Sequence, residues 1–164
     1  MMPIGDHVAI DVAAAHPGDI EAVQAIDERV FGSSDRREFH RQSIEHGECL
    51  VARYNDAVAG FAVVDRSLFD QRFVALLIVD PRHRRQGISS ALMRAVEDWF
   101  PGEKLFTSTN ASNLKMQALC EQLGFVRSGY IEHLDEGDPE IVYFKIAGDL
   151  RDADIPDERG LGKS

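Results

Sequence analysis

The chain lacks the features that define several large protein classes. Only two of its 164 residues are cysteine, Cys49 and Cys120, too few for a disulfide scaffold, so both read as free thiols. No apolar run reaches the roughly 20 residues of a membrane-spanning helix, and the N-terminus carries no signal-type apolar stretch. A cytoplasmic protein with no membrane partner is the expectation. Positive charge is scarce: 18 Lys and Arg against 28 Asp and Glu leave a net charge of −10. That balance argues against nonspecific nucleic-acid binding and suits a cationic amine substrate. The dinucleotide fingerprint G-x-G-x-x-G is absent. Gly162-Lys163-Ser164 is superficially Walker-like, but Asp157 stands where that motif needs its earlier glycine. Repeats, low-complexity tracts and internal linkers are missing too.

What is present centres on Val79 to Leu92. Phe73 to Val79 is a continuous apolar run rich in β-branched residues, the pattern of a strand covered on both faces. Pro81 ends it, because proline cannot donate to a sheet ladder. After Gly87 the period changes: Ile88, Ala91, Leu92, Ala95, Val96 and Trp99 fall on one helical stripe, so a helix begins within Gly87-Ile88-Ser89-Ser90. Helix starts leave amides without intrahelical partners and carry partial positive charge. Gly87 has no side chain to obstruct a ligand, and Arg82, Arg84 and Arg85 stand nearby. A phosphate-bearing ligand fits this segment; an ordinary strand-to-helix turn with solvated arginines fits the spacing as well.

The remaining pattern reads as mixed α/β. A first strand spans Val8 to Ala14, a helix Gly18 to Phe31 with Ile20, Val23, Ile26 and Val30 on one side, and a shorter helix Arg36 to His46. Glu48 to Tyr54 and Val58 to Asp65 form a hairpin around the turn-favouring pair Asn55-Asp56. Lys104 to Thr109 is the next strand, followed by a helix carrying Cys120 and strands from Phe125 to Glu132 and Ile141 to Ile146. At this length one hydrophobic core is expected, over residues 1–148, with a loosely packed polar tail over 149–164.

The order Val79-x-Pro81-x-x-Arg84-Arg85-Gln86-Gly87-Ile88-Ser89 resembles the coenzyme A loop of the GCN5-related N-acetyltransferase (GNAT) family, whose core is Arg/Gln-x-x-Gly-x-Gly/Ala. Ser89 takes the last small position, and His83 stands where an aromatic is common. Downstream, Asn113-Leu-Lys-Met-Gln-Ala-Leu-Cys120-Glu-Gln-Leu-Gly124-Phe125 resembles the family's second motif, an Asn before a helix ending in Leu-Gly-Phe. The resemblance runs from about Ile10 to Ile146. It implies a single α/β domain: a twisted, mainly antiparallel mixed sheet, splayed between its fourth and fifth strands, with about four flanking helices.

The implied activity is acetyl transfer from acetyl-coenzyme A to a primary amine of a small molecule or peptide, with no metal. The resemblance assigns the diphosphate to the backbone of Arg85 to Ser90, including Gln86, Gly87, Ile88 and Ser89, with Arg84 as a charged helper. Ile78 and Val79 border the donor, and the Val79 amide faces the thioester oxygen. Asn113 matches the position that bonds the pantetheine arm, although Asn also suits a helix N-cap. The family's proton-donating Tyr position holds Cys120. Cysteine has a reference pKa of about 8.5 against about 10 for tyrosine, so a proton-donor role is chemically open. Packing is equally open, since Met116, Leu119, Cys120 and Leu123 share one helical face.

The general base has no clear residue. Glu132, Asp135, Glu136, Asp138 and Glu140 cluster around the last turn, either to hold a cationic substrate with Glu132 relaying a proton, or as a solvated hairpin around Gly137-Asp138-Pro139. The cluster lacks calcium-loop spacing. His133 beside it is a further base candidate, whereas the position of His83 is one that packs. Phe31 to Asp35 is the segment that lines the acceptor side in such enzymes and carries no specificity signal here. Two other functions stay open: a coenzyme-binding sensor that catalyses weakly, and an interaction protein without coenzyme. A homodimer is possible.

Overall fold

The computed structural model describes residues 9–149. Val8 of the expected first strand and nearly all of the expected tail lie outside the described residues. Seven strands and four α-helices follow in the order β1 (Ile10–Ala14), α1 (Ile20–Phe31), α2 (Arg37–Glu45), β2 (Cys49–Tyr54), β3 (Ala57–Leu68), β4 (Gln71–Val79), α3 (Ile88–Trp99), β5 (Lys104–Asn110), α4 (Leu114–Gln122), β6 (Val126–Ile131) and β7 (Glu140–Ile146). The sheet order is β1-β2-β3-β4-β5-β7-β6, and β1–β2, β2–β3, β5–β7 and β6–β7 pair antiparallel. This is the α/β class expected. Among the described residues no helix is long and apolar enough to cross a membrane. The chain forms two compact units, one through Asp65 with Val74–Trp99, the other Arg66–Phe73 with the residues from Phe100 onward.

In the first unit the core gathers Val23, Ile26, Ile44, Cys49, Val51, Phe61, Val63 and Ile78. Helix α1 begins at Ile20 rather than Gly18 because Pro17–Asp19 forms a tight 3-10 turn, in which the Asp19 carboxylate accepts from the His16 amide at 3.1 Å. Asn55 and Asp56 have φ of 50° and 67°, and Tyr54 pairs directly with Ala57. That is the two-residue hairpin turn the Asn-Asp pair favours.

Three expectations are corrected. Strand β4 is not covered on both faces, since Val74 and Ile78 are buried while Phe73, Ala75, Leu76, Leu77 and Val79 are half-buried. Apolar character alone does not separate a buried position from a half-buried one. The α3 stripe is rotated: Met93 and Glu97 join Ile88, Leu92 and Val96 inside, and Trp99 stays 37% exposed. Strand β3 runs to Leu68 instead of stopping at Asp65, and turns at Phe69-Asp70, where φ is 49° and 60°.

That extension is polar, and partners in the second unit hold it. The Arg66 guanidinium donates to the Asp70 carbonyl at 2.9 Å, Arg72 Nε lies 3.3 Å from Glu103 Oε1, and the Arg72 guanidinium stacks 4.1 Å from the Phe100 ring. In the same unit Leu105, Thr107 and Thr109 of β5 and Ile141, Tyr143 and Lys145 of β7 turn inward in alternation, as a strand period of two requires. Helix α4 buries Gln117 and Cys120. Just past its C-terminus the buried Lys145 ammonium donates to the Leu123 carbonyl at 2.6 Å, a favourable place for a cation. Every residue of β6 is exposed.

Candidate functional site

The anion loop is built where β4 hands over to α3. The Asp80 amide donates to the Ala59 carbonyl at 2.7 Å, and Pro81–His83 then makes a 3-10 turn capped by the Asp80 side chain, which accepts from the Arg82 amide. Arg85 and Gly87 both adopt left-handed backbone, with φ of 64° and 79°. A side chain at Gly87 would meet little among the described residues: its Cβ would have Ile10 Cδ1, 4.0 Å away, within reach. The glycine is therefore there for its backbone conformation and leaves open space above the amides.

The first helical bond of α3 runs from the Ala91 amide to the Gly87 carbonyl at 3.1 Å, so the amides of Ile88, Ser89 and Ser90 precede the ladder and are free of it. Arg84, Arg85, Gln86 and Gly87 are exposed, Ser89 and Ser90 half-buried, and Ile88 buried. Open space, left-handed backbone and two exposed arginines suit a diphosphate. Tyr54 of β2 braces the loop, its ring 5.3 Å from that of His83 and its hydroxyl donating to Gln86 Oε1 at 3.4 Å. His83 thus packs.

One arginine leaves the anion roster. Arg82 donates Nη2 to Asp80 Oδ2 at 3.0 Å, and Arg29 of α1 donates to the same oxygen at 2.9 Å. Burial favours protonation of Asp80, but Arg82 and Arg29 outweigh it and hold the carboxyl at about 2. Asp80 went unnoticed in the sequence, although an Asp directly before Pro is a recognisable turn cap.

The first unit also contains the Phe31–Asp35 segment. It borders a cavity of about 140 Å³ lined by Asp27, Phe31, Ser33, Asp35 and Arg36. Arg36 joins buried Asp27 at 2.7 Å and lies 4.2 Å from the Phe31 ring centroid. Behind it, fully buried His40 places Nε2 3.2 Å from Asp27 Oδ2. None of this polar framework was visible in the loop's own sequence.

The second unit carries the other motif residues. The Asn113 side chain accepts from the Met116 amide at 3.1 Å, so it caps α4. That bond occupies Oδ1 and leaves the Asn113 amide nitrogen available as a donor. Cys120 has no exposed surface, and burial, with Glu121 nearby, pushes its thiol up to about 12. A sealed, weakly acidic thiol is a packing group first. Tyr143 of β7 is also fully buried, and burial pushes that phenol above its usual range against the opposing pull of Arg127.

Glu132 is exposed just past β6 and is followed by His133 in left-handed backbone. The rest of the acidic turn is partly committed. Asp135 accepts from Asn110 Nδ2 at 2.8 Å, and the Asp138 carboxylate takes both the Ser112 amide and hydroxyl, at 2.9 and 2.6 Å. These bonds latch the β6–β7 hairpin onto the turn leading to Asn113. Among the described residues no group of three His, Cys, Asp or Glu side chains could hold a metal ion.

Residues 20–125 match the family model described as Acetyltransferase (GNAT) family. The crystal structure of a GNAT-family acetyltransferase from Bacillus cereus ATCC 10987 is 38% identical, with a TM-score of 0.82 over 87% of this chain and 99% of that one. Two others share the fold at lower identity. The ribosomal-protein-S18-alanine N-acetyltransferase of Escherichia coli is 21% identical, with a TM-score of 0.72 over 88% of this chain and 97% of that one. An N-acetyltransferase of Staphylococcus aureus Mu50 is 19% identical, with a TM-score of 0.68 over 85% and 99%. No protein of curated function matches the chain by sequence. The matched length and the 38% identity together show that this chain belongs to the GNAT acetyltransferase family.

Proposed function

We propose that the protein transfers an acetyl group from acetyl-coenzyme A to a primary amine of a small molecule or peptide by direct attack. The observation that carries this reading is the 84–90 loop, whose left-handed Arg85 and Gly87 open onto the first amides of α3. Ile78, Val79, Arg84, Arg85, Gln86, Gly87, Ile88, Ser89, Ser90 and Asn113 would hold the coenzyme, which supplies an activated thioester. The Val79 amide is the proposed donor to the developing oxyanion, a role that needs a fixed backbone rather than a side chain.

The amine must lose its proton before attack. Exposed Glu132 is the proposed acceptor of that proton through water. Cys120 is a poor donor to the departing sulfur, because a thiol at about 12 gives up its proton reluctantly. General-acid help is worth roughly 10²- to 10⁴-fold, and a thiolate leaves tolerably without it. On the acceptor side, Asp35 is the carboxylate of the cavity beside Phe31 that would attract an ammonium, since Arg36 already neutralises Asp27.

The buried thiol favours a second reading, a coenzyme-binding sensor with weak transfer. Calorimetric titration with coenzyme A, followed by thiol release from acetyl-coenzyme A across a panel of amines and short peptides, separates the two. Amine-dependent release supports the transferase, binding without release supports the sensor, and absence of binding refutes both.

A further inference from the structure

The loop is anchored by a carboxylate that the transfer chemistry leaves idle. Asp80 is fully buried, yet donors reach it from two directions. Within the loop, Arg82 gives its amide to Oδ1 at 3.0 Å and its guanidinium to Oδ2 at 3.0 Å. From α1, 51 positions earlier in the chain, Arg29 gives Nη2 to Oδ2 at 2.9 Å. The Asp80 amide is itself held by Ala59 of β3. One residue therefore joins a strand, a helix and the loop.

What lies beyond the anchor needs holding. Left-handed backbone is natural for Gly87 and unfavourable for Arg85, and such a conformation persists only where the surroundings enforce it. A buried, charge-assisted cluster is a rigid means of enforcement.

We propose that Asp80 is a positioning residue for the coenzyme diphosphate: by clamping Arg29 and Arg82 it keeps residues 84–90 in the conformation that receives the anion. This rests on the coenzyme reading above. The sign of one substitution separates positioning from simple charge. Together Asp80, Arg29 and Arg82 carry one net positive charge, so Asp80→Asn adds positive potential and would tighten an anion if charge alone mattered. Positioning requires the opposite.

The test is titration of coenzyme A into the wild type, Asp80→Asn, Arg29→Met, Arg29→Lys and Val23→Ala, with folding stability measured on each. Val23→Ala destabilises α1 from its core side, away from the clamp. Asp80→Asn and Arg29→Met are each expected to raise Kd about tenfold. Arg29→Lys should restore most of the loss, and Val23→Ala should leave Kd unchanged despite lower stability. Unchanged or tighter binding in Asp80→Asn overturns the proposal. So does an equal loss in Val23→Ala, which would make the effect one of general stability. Arg29 is 41% exposed, so its variants keep the fold, and a Kd for Arg29→Met equal to that of the wild type also overturns the proposal. A wild type that fails to bind coenzyme A refutes the coenzyme reading instead.

Discussion

Replacing Gly87 by Asn and by Asp separates the conformational and electrostatic demands of the loop. With Ile10 Cδ1 at 4.0 Å as the nearest neighbour of an added Cβ among the described residues, the first atom of either side chain is accommodated there without a clash. Both residues tolerate left-handed backbone better than other non-glycine types, so each should lower stability by no more than about 1 kcal/mol. Asn adds bulk where the diphosphate approaches; Asp adds the same bulk and a full negative charge. At ~5 Å and an effective dielectric of ~20, repulsion from one phosphate charge is about 3 kcal/mol, roughly a hundredfold in Kd. Titration of coenzyme A at low and high salt should show Asp far weaker than Asn, with the gap narrowing as salt rises. Equal Kd values for the two variants would mean that no anion sits at this backbone, and the proposed donor site would be lost.

Other perturbations address the rest of the molecule. Burial pushes both thiols up to about 12, so a disulfide reagent should label neither cysteine in the native protein at pH 8 and both after denaturation. Cys120→Ala should cost about 1 kcal/mol in denaturant unfolding, by analogy with small core deletions, and lower turnover tenfold or less. A loss near a thousandfold with normal coenzyme affinity would make the thiol a proton donor. Asp138→Ala should lower stability by about 1 kcal/mol, and adding Ser112→Ala should cost little more, since both remove one latch. Burial holds the His40 imidazole below its usual range despite Asp27. The unfolded chain therefore takes up that proton first, and stability should fall as pH drops below about 6.5. His40 faces Asp27 and, more distantly, Arg36, with Phe39 and Phe61 against its ring, so His40→Phe should flatten this part of the unfolding profile.

Local chemistry made much of this legible. The strand-to-helix change around Gly87, the Asn55-Asp56 turn and the Asn113 cap are each written within a few consecutive residues, and each took the expected form. What escaped depends on distant partners. Phe69-Asp70 is no standard turn pair, and the hairpin it closes is held through Arg72 by Phe100 and Glu103, 28 and 31 positions further along. Arg82 looks like a ligand for an anion as long as its partner, Asp80, goes unnoticed. The Asp27, Arg36 and His40 cluster spans two helices, so neither helix alone announces it. Trp99 followed the helical period but lies at the last turn of α3, where the core has run out.

Gly60 of β3 carries a lesson about inheritance. A Cβ there would stand 2.9 Å from the Ile78 carbonyl and 3.0 Å from Ile88 Cγ2, against the strand that enters the loop and the helix that leaves it. Those two segments can approach β3 so closely because one side chain is missing. Shrinking Ile88 would relieve only the second of these contacts; the Ile78 carbonyl is backbone and stays, so any side chain at position 60 must push β4 away from β3. Over evolutionary time position 60 is therefore expected to stay glycine even where the letters of the loop drift, and descent can be traced through it as well as through the loop.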